Sequence, residues 1–228
     1  FKSTNTMGDA RRFIGIDLLR NRDDRMISLS QEKYISTFVP KFVDDIKSKL
    51  ALKTHASPAV ASRPDPYHKL FDISLDKTED DRIEEPYLAA VSSAMYAACM
   101  TRGDIAYHTS FLSQFSKLPF QEAWEALVRL LVCLYATRKH ALTFGGKEIK
   151  IPDAPTCKPR LNPSHIETMH GLIIFSDASW KLNCTYAGFF ILFCNGAVDW
   201  GSCKLKVMLS STEAEIAAGS NATRRIVY

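Results

Sequence analysis

The sequence predicts a mixed α+β chain: a β-hairpin first, helices in the middle, then a small sheet with one helix. Three observations predict it. Residues 11 to 31 set two short apolar stretches around the polar turn Asn21-Arg22-Asp23-Asp24. Residues 86 to 138 carry apolar side chains at helical spacing in three blocks. Past residue 170, an apolar run precedes two strand-like stretches, Tyr186 to Cys194 and Ala197 to Met208, joined by Asn195-Gly196. That dipeptide is the strongest short hairpin signal.

In the first hairpin Phe13, Ile14, Ile16 and Leu18 lead into the turn, and Met26, Ile27 and Leu29 return from it. A helix follows, with Ser30 as its cap and Tyr34, Ile35, Phe38 and Phe42 on the apolar side; Pro40 ends it early. Residues 53 to 85 hold Pro58, Pro64 and Pro66, then the acidic run Asp76, Glu79, Asp80, Asp81, Glu84 and Glu85. This reads as a long mobile connection with a short ordered piece at Leu70 to Leu75. The acidic run is a solvated surface that a phosphate backbone would repel.

Pro86 suits a first helical position, and Leu88, Val91, Met95 and Cys99 then recur at helical spacing. Arg102 to Phe115 carries Ile105, Leu112 and Phe115 on one face. Gln121 to Arg138 carries Trp124, Leu127, Leu131 and Leu134, with Leu130 and Tyr135 widening the stripe. Such stripes predict a small helical bundle. A strand-like piece, Ala141 to Phe144, ends at Gly145-Gly146, and Pro152, Pro155, Pro159 and Pro163 mark a linker and a domain boundary.

With 228 residues, 46% hydrophobic and 24% charged, the chain has the makeup of a soluble globular protein of one or two domains. A net charge of +4 permits nucleic-acid contact without arguing for it. No apolar stretch reaches membrane-spanning length and no signal-peptide pattern opens the chain, so no membrane partner is expected. The six cysteines form no Cys-x-x-Cys pair, which argues against zinc and a disulfide framework. They are expected as reduced, mostly buried thiols of an intracellular protein. The six histidines show no His-x-x-x-His pairing and receive no metal or catalytic role.

The chemistry concentrates near the end. Gly171-Leu172-Ile173-Ile174-Phe175 reads as a buried strand leading to Asp177. Leu209-Ser210-Ser211-Thr212-Glu213-Ala214-Glu215 opens a helix that Ser210, Ser211 or Thr212 can cap. The order is Asp-bearing strand, hairpin, Glu-bearing helix, which brings two distant carboxylates together to hold a divalent metal. Residues two apart on a helix point about 200° from each other, so Glu213 and Glu215 cannot both face Asp177.

This segment resembles the first half of an RNase H domain. Upstream, Phe13-Ile14-Gly15-Ile16-Asp17, Leu29-Ser30-Gln31-Glu32-Lys33-Tyr34-Ile35, Glu85-Pro86-Tyr87 and Met100-Thr101-Arg102-Gly103-Asp104-Ile105-Ala106-Tyr107 resemble, in that order, copia-type retrotransposon polyproteins. The likeness covers nearly the whole chain and rests on several separate motifs. It implies a palm-edge hairpin and helix of the reverse transcriptase (1–52), a connection (53–85), a helical thumb/connection region (86–145), a linker (146–168) and a truncated RNase H-like domain (169–228).

The resemblance further implies RNA-directed DNA synthesis and cleavage of the RNA strand of an RNA–DNA hybrid in the parent, with Mg2+ or Mn2+ as cofactor. It places metal-binding, catalytic carboxylates at Asp177 and Glu215; the register Glu215-Ile216-Ala217-Ala218 favours Glu215 over Glu213. Arg20, Arg22, Arg25, Lys117, Arg129, Arg138 and Lys139 are the candidate contacts to a hybrid or primer-template duplex, beside His140. The expected partners are that duplex and the remainder of the polyprotein, in the cytoplasm within a retroelement particle and in the nucleus. Ser179, Gly103, Ile216 and Asp199 depart from the family's usual residues. No Tyr-x-Asp-Asp sequence occurs, and the family's later RNase H carboxylates are expected beyond Tyr228. The fragment is therefore expected to be inactive alone. The alternative is a non-catalytic nucleic-acid-binding or interaction remnant.

Overall fold

The computed structural model describes residues 11–46, 66–145, 172–180, 185–193 and 196–227. The connection over 47–65, the proline-rich stretch 146–171, and Cys157, Cys184 and Cys194 lie outside the described residues.

The first sheet is antiparallel, in the order β1 (Arg12–Phe13), β2 (Ile16–Asn21), β3 (Met26–Ser30), β4 (Leu142–Gly145). The Asn21 carboxamide holds the β2–β3 turn by accepting from the backbone N–H of Asp23 and Asp24 at 3.1 and 3.2 Å. The expected single strand through Phe13 and Ile14 is instead broken by a tight turn, with Ile14 and Gly15 both at positive φ. Both Phe13 and Ile14 are exposed. β4, a strand-like piece in the sequence, pairs with β3 from Met26↔Gly145 to Leu29↔Leu142.

Helix α1 (Glu32–Phe38) passes into a 3-10 turn containing Pro40, as expected for a residue without a backbone N–H. Gln31 occupies the cap position, but the Ser30 hydroxyl accepts from Glu32 N–H at 3.2 Å. The segment read as a connection carries α2 (Pro66–Ser74), longer than the ordered piece expected, and a 3-10 turn at Glu79–Asp81. Thr78 and Asp81 close a reciprocal capping box there. Thr78 donors hold the Asp81 carboxyl below its ordinary range.

The bundle consists of α3 (Tyr87–Met100), α4 (Ala106–Ser113) and α5 (Gln121–Ala136), with 3-10 turns at Gly103–Ile105 and Gln114–Ser116. On α4 and α5 the expected apolar faces are buried: Ile105, Leu112, Phe115, Leu127, Leu130, Leu131 and Leu134 lie in the core. α3 is a correction. Leu88 and Cys99 are exposed, and the buried face is Tyr87, Ala90, Val91, Ala94, Ala97 and Ala98. Small side chains there let neighbouring helices approach closely, so packing rather than side-chain size selected the face. Cys203 is exposed too, while Cys133 is buried and its thiol is pushed up to about 11, chiefly by desolvation.

The second sheet runs β5 (Ile173–Ser179), β6 (Tyr186–Phe193), β7 (Gly196–Lys204), all antiparallel. β5 is not the buried strand expected. It pairs with β6 along one side only, leaving Ile174 and Phe175 43% and 47% exposed. Helix α6 (Ser211–Val227) lays Ala214, Ala218 and Ala222 against β5 and β6. Ser210 caps it: its hydroxyl accepts from Glu213 N–H at 3.1 Å, and Glu213 accepts from Leu209 N–H at 2.8 Å.

Candidate functional site

Strand alternation sorts the second sheet into two faces. Ala187, Phe189 and Ile191 share the face covered by α6, where Arg225 lies over the Phe189 ring and bonds Asp199 at 2.9 Å. Tyr186, Gly188, Phe190 and Trp200 share the other, which meets the bundle. There the Trp200 indole N–H donates to the Ala98 carbonyl at 2.7 Å, and the Ser110 hydroxyl to Ser202 O at 3.0 Å. The Tyr107 and Tyr186 rings cross edge-to-face at 5.5 Å. Gly103 underlies this contact: a Cβ at that position would sit 2.9 Å from the Trp200 ring. Gly196 does likewise against Phe144 of β4.

Two of the motifs quoted above converge at the same turn. Arg102 is 2% exposed and forks onto Asp104 at 2.9 and 2.7 Å, while also donating to the carbonyl and hydroxyl of Thr137 at 3.1 and 2.7 Å. A two-pronged guanidinium–carboxylate pair fixes geometry as well as energy. Beside it the Thr101 hydroxyl bonds the buried Gln31 carboxamide oxygen at 2.8 Å, tying α3 to the start of α1. Tyr34 donates to Ser93 O at 3.2 Å and Tyr96 to the Ile14 carbonyl, so the hairpin, α1 and α3 are locked together. Sequence reasoning quoted these residues as motif letters and gave them no role. An arginine two residues before an aspartate at a helix junction was the available signal.

Asp177 pairs across to Gly188, which puts its side chain on the bundle face with Phe175 and Ser179. It is exposed, and its Oδ1 accepts from Ala178 N–H at 2.9 Å. Glu215 is exposed on α6, which covers the opposite face. The sheet therefore lies between the two carboxylates. The described residues contain no group of three or more His, Cys, Asp or Glu side chains able to hold a metal. As placed, this donor set does not fit a two-metal centre, which needs ligands converging on ions about 4 Å apart.

Of the basic candidates, Arg20, Arg22, Arg25, Lys117, Arg129 and Lys139 are exposed, as is His140. Arg138 is engaged: it lies over the Tyr135 ring at 4.6 Å, donates to Tyr135 O at 2.9 Å and approaches Glu32 at 4.0 Å. No described helix is long and apolar enough to cross a membrane.

A strand, hairpin and helix docked on a helical bundle behind a first hairpin define a mixed α/β protein with two antiparallel sheets. Comparison with known proteins gives the family. Over 223 residues, 97% of the chain, it is 30% identical to the retrovirus-related Pol polyprotein from transposon TNT 1-94 of Nicotiana tabacum. It is 26% identical over 225 residues to the Pol polyprotein from transposon RE2 of Arabidopsis thaliana. The chain belongs to the retrovirus-related Pol polyproteins of copia-type retrotransposons. It spans 15% and 13% of the length of these two relatives. A 148-residue stretch, 63% of the chain, is 34% identical to the secreted RxLR effector protein 161 of Plasmopara viticola, covering 90% of that protein. No protein-family model and no solved structure matches the chain.

Proposed function

We propose that this polyprotein segment joins the edge of a reverse transcriptase to the start of an RNase H-like domain, and that alone it neither polymerises nor cleaves. The supporting observation is the element order. A hairpin and helix, a bundle, and then the strand, hairpin and helix bearing Asp177 and Glu215 follow one another as in the resembled family. In the parent, the segment serves RNA-directed DNA synthesis and removal of RNA from the hybrid, chemistry that magnesium or manganese supplies when bound.

Within the segment, the residues do structural work toward that end. The Arg102–Asp104–Thr137 cluster and the Gln31–Thr101 bond hold the hairpin sheet, α1 and the bundle in fixed register. The exposed Arg20, Arg22 and Arg25 on the β2–β3 hairpin offer charge to a duplex backbone. With Asp177 on β5 and Glu215 on the helix that covers the opposite face, the reading gives this segment alone no metal centre.

The test is a gel assay of the purified chain on a labelled RNA–DNA hybrid with Mg2+ or Mn2+, beside Asp177→Asn. No cleavage by either protein, with a folded circular-dichroism signal, is expected. Cleavage by the chain that Asp177→Asn abolishes would overturn the reading.

A further inference from the structure

A cavity of about 600 Å³ lies where the bundle meets the second sheet. Its walls are aromatic: Tyr107 from α4, Phe175 from β5, Tyr186 and Phe190 from β6, Trp200 from β7. The Tyr107–Tyr186 pair is perpendicular at 89°, and Phe190 lies 6.2 Å from Trp200. Among the described residues, two carboxylates line it and no Lys, Arg or His does. Asp104 is already neutralised by Arg102, at 2.7 Å. Asp177 meets no such counter-charge among the described residues; its Oδ1 accepts from the Ala178 amide.

This composition selects a ligand class. Ring faces carry negative quadrupole charge and attract cations. An unneutralised carboxylate among them adds to that attraction and repels phosphates. A lone carboxylate is a poor site for a hard divalent ion, which wants several oxygen ligands. An organic cation suits both features, because its apolar body is content against the rings while its charge meets Asp177.

We infer that this aromatic cavity binds an alkylammonium or guanidinium group through Asp177. The source is either a free polyamine or a Lys or Arg side chain of a peptide. The inference rests on the cavity's own chemistry and on the proposed reading that Asp177 holds no metal in this segment alone.

The experiment titrates the full 228-residue chain with spermidine, and separately with N-acetyl-arginine amide, following tryptophan fluorescence and NMR shifts. Saturable binding by either probe is expected; preference for one identifies the source. Asp177→Asn keeps a side-chain carbonyl for the Ala178 amide and should weaken binding about tenfold or more. Phe175→Leu, at a half-exposed position, should weaken it severalfold without loss of fold. Inorganic phosphate and a neutral alcohol of similar size should not compete. No saturation up to millimolar probe, binding indifferent to both substitutions, or equal binding of the neutral alcohol would each overturn the inference. Metal-dependent hybrid cleavage that Asp177→Asn abolishes would overturn both readings, whereas a chain that neither cleaves nor binds the probes would overturn this inference alone.

Discussion

The bundle and the second sheet bury different things. In the bundle, Phe111, Leu112, Leu127, Leu131 and Leu134 are fully enclosed beside Tyr87 and Phe120. In the sheet and its helix, the buried residues are mostly alanines (Ala187, Ala197, Ala214, Ala218, Ala222), with Ile191 and Tyr186. There Trp180, Val198, Val207, Leu209 and Ile216 stay exposed. Buried apolar area is the main favourable term in folding, so the bundle holds itself while the sheet relies on what it docks against. Trp200, Ser110 and the Tyr107–Tyr186 pair are that docking.

The largest expected effect is in the bundle. Leu131→Ala should cost about 2–5 kcal/mol and unfold both regions together in a denaturant titration. Arg102→Met comes next. It strips the Thr137 carbonyl and hydroxyl of their donor, but Asp104 is half exposed and rehydrates. A loss of about 3 kcal/mol, at the low end for a broken buried pair, is expected from thermal melts.

Gly103→Ala sharpens the comparison, because its clash is with Trp200 across the junction rather than within the bundle. It should cost about 1–3 kcal/mol. A double-mutant cycle with Trp200→Phe should show coupling, since the two residues share one contact. Arg225→Gln breaks an exposed pair with Asp199 and should cost no more than about 1 kcal/mol.

The last effect shows itself only in alkali. The Cys133 thiol is raised from an ordinary 9.0 to about 11. Its neutral form is favoured on folding, so the contribution is full below 9 and lost as pH rises through 11. Urea titrations across that window should show a steeper decline for the wild type than for Cys133→Ala. At neutral pH, a thiol reagent should label Cys99 and Cys203 in the folded chain and spare Cys133.

Much of this arrangement was legible in the residues. The leucine stripe of α5, the β6–β7 hairpin and the cap before Glu213 are local signals, written in spacing and turn chemistry. What failed was long-range. On α3 the pattern of large apolar residues pointed to Leu88 and Cys99, whereas close helix packing chose the alanine face. The pairing of β4 with β3 spans more than a hundred residues and leaves no periodic trace. Asp177 and Glu215 could be read as metal carboxylates from their element order, but which face of the sheet each takes depends on register.

The central claim is that the second sheet is held in place by the bundle through the Gly103–Trp200 contact. Residue-resolved hydrogen exchange on the wild type and Gly103→Ala tests it most directly. Protection lost from β6 and β7 while α5 keeps its own is the predicted result. Equal loss in both regions, or no change in the sheet, would contradict it.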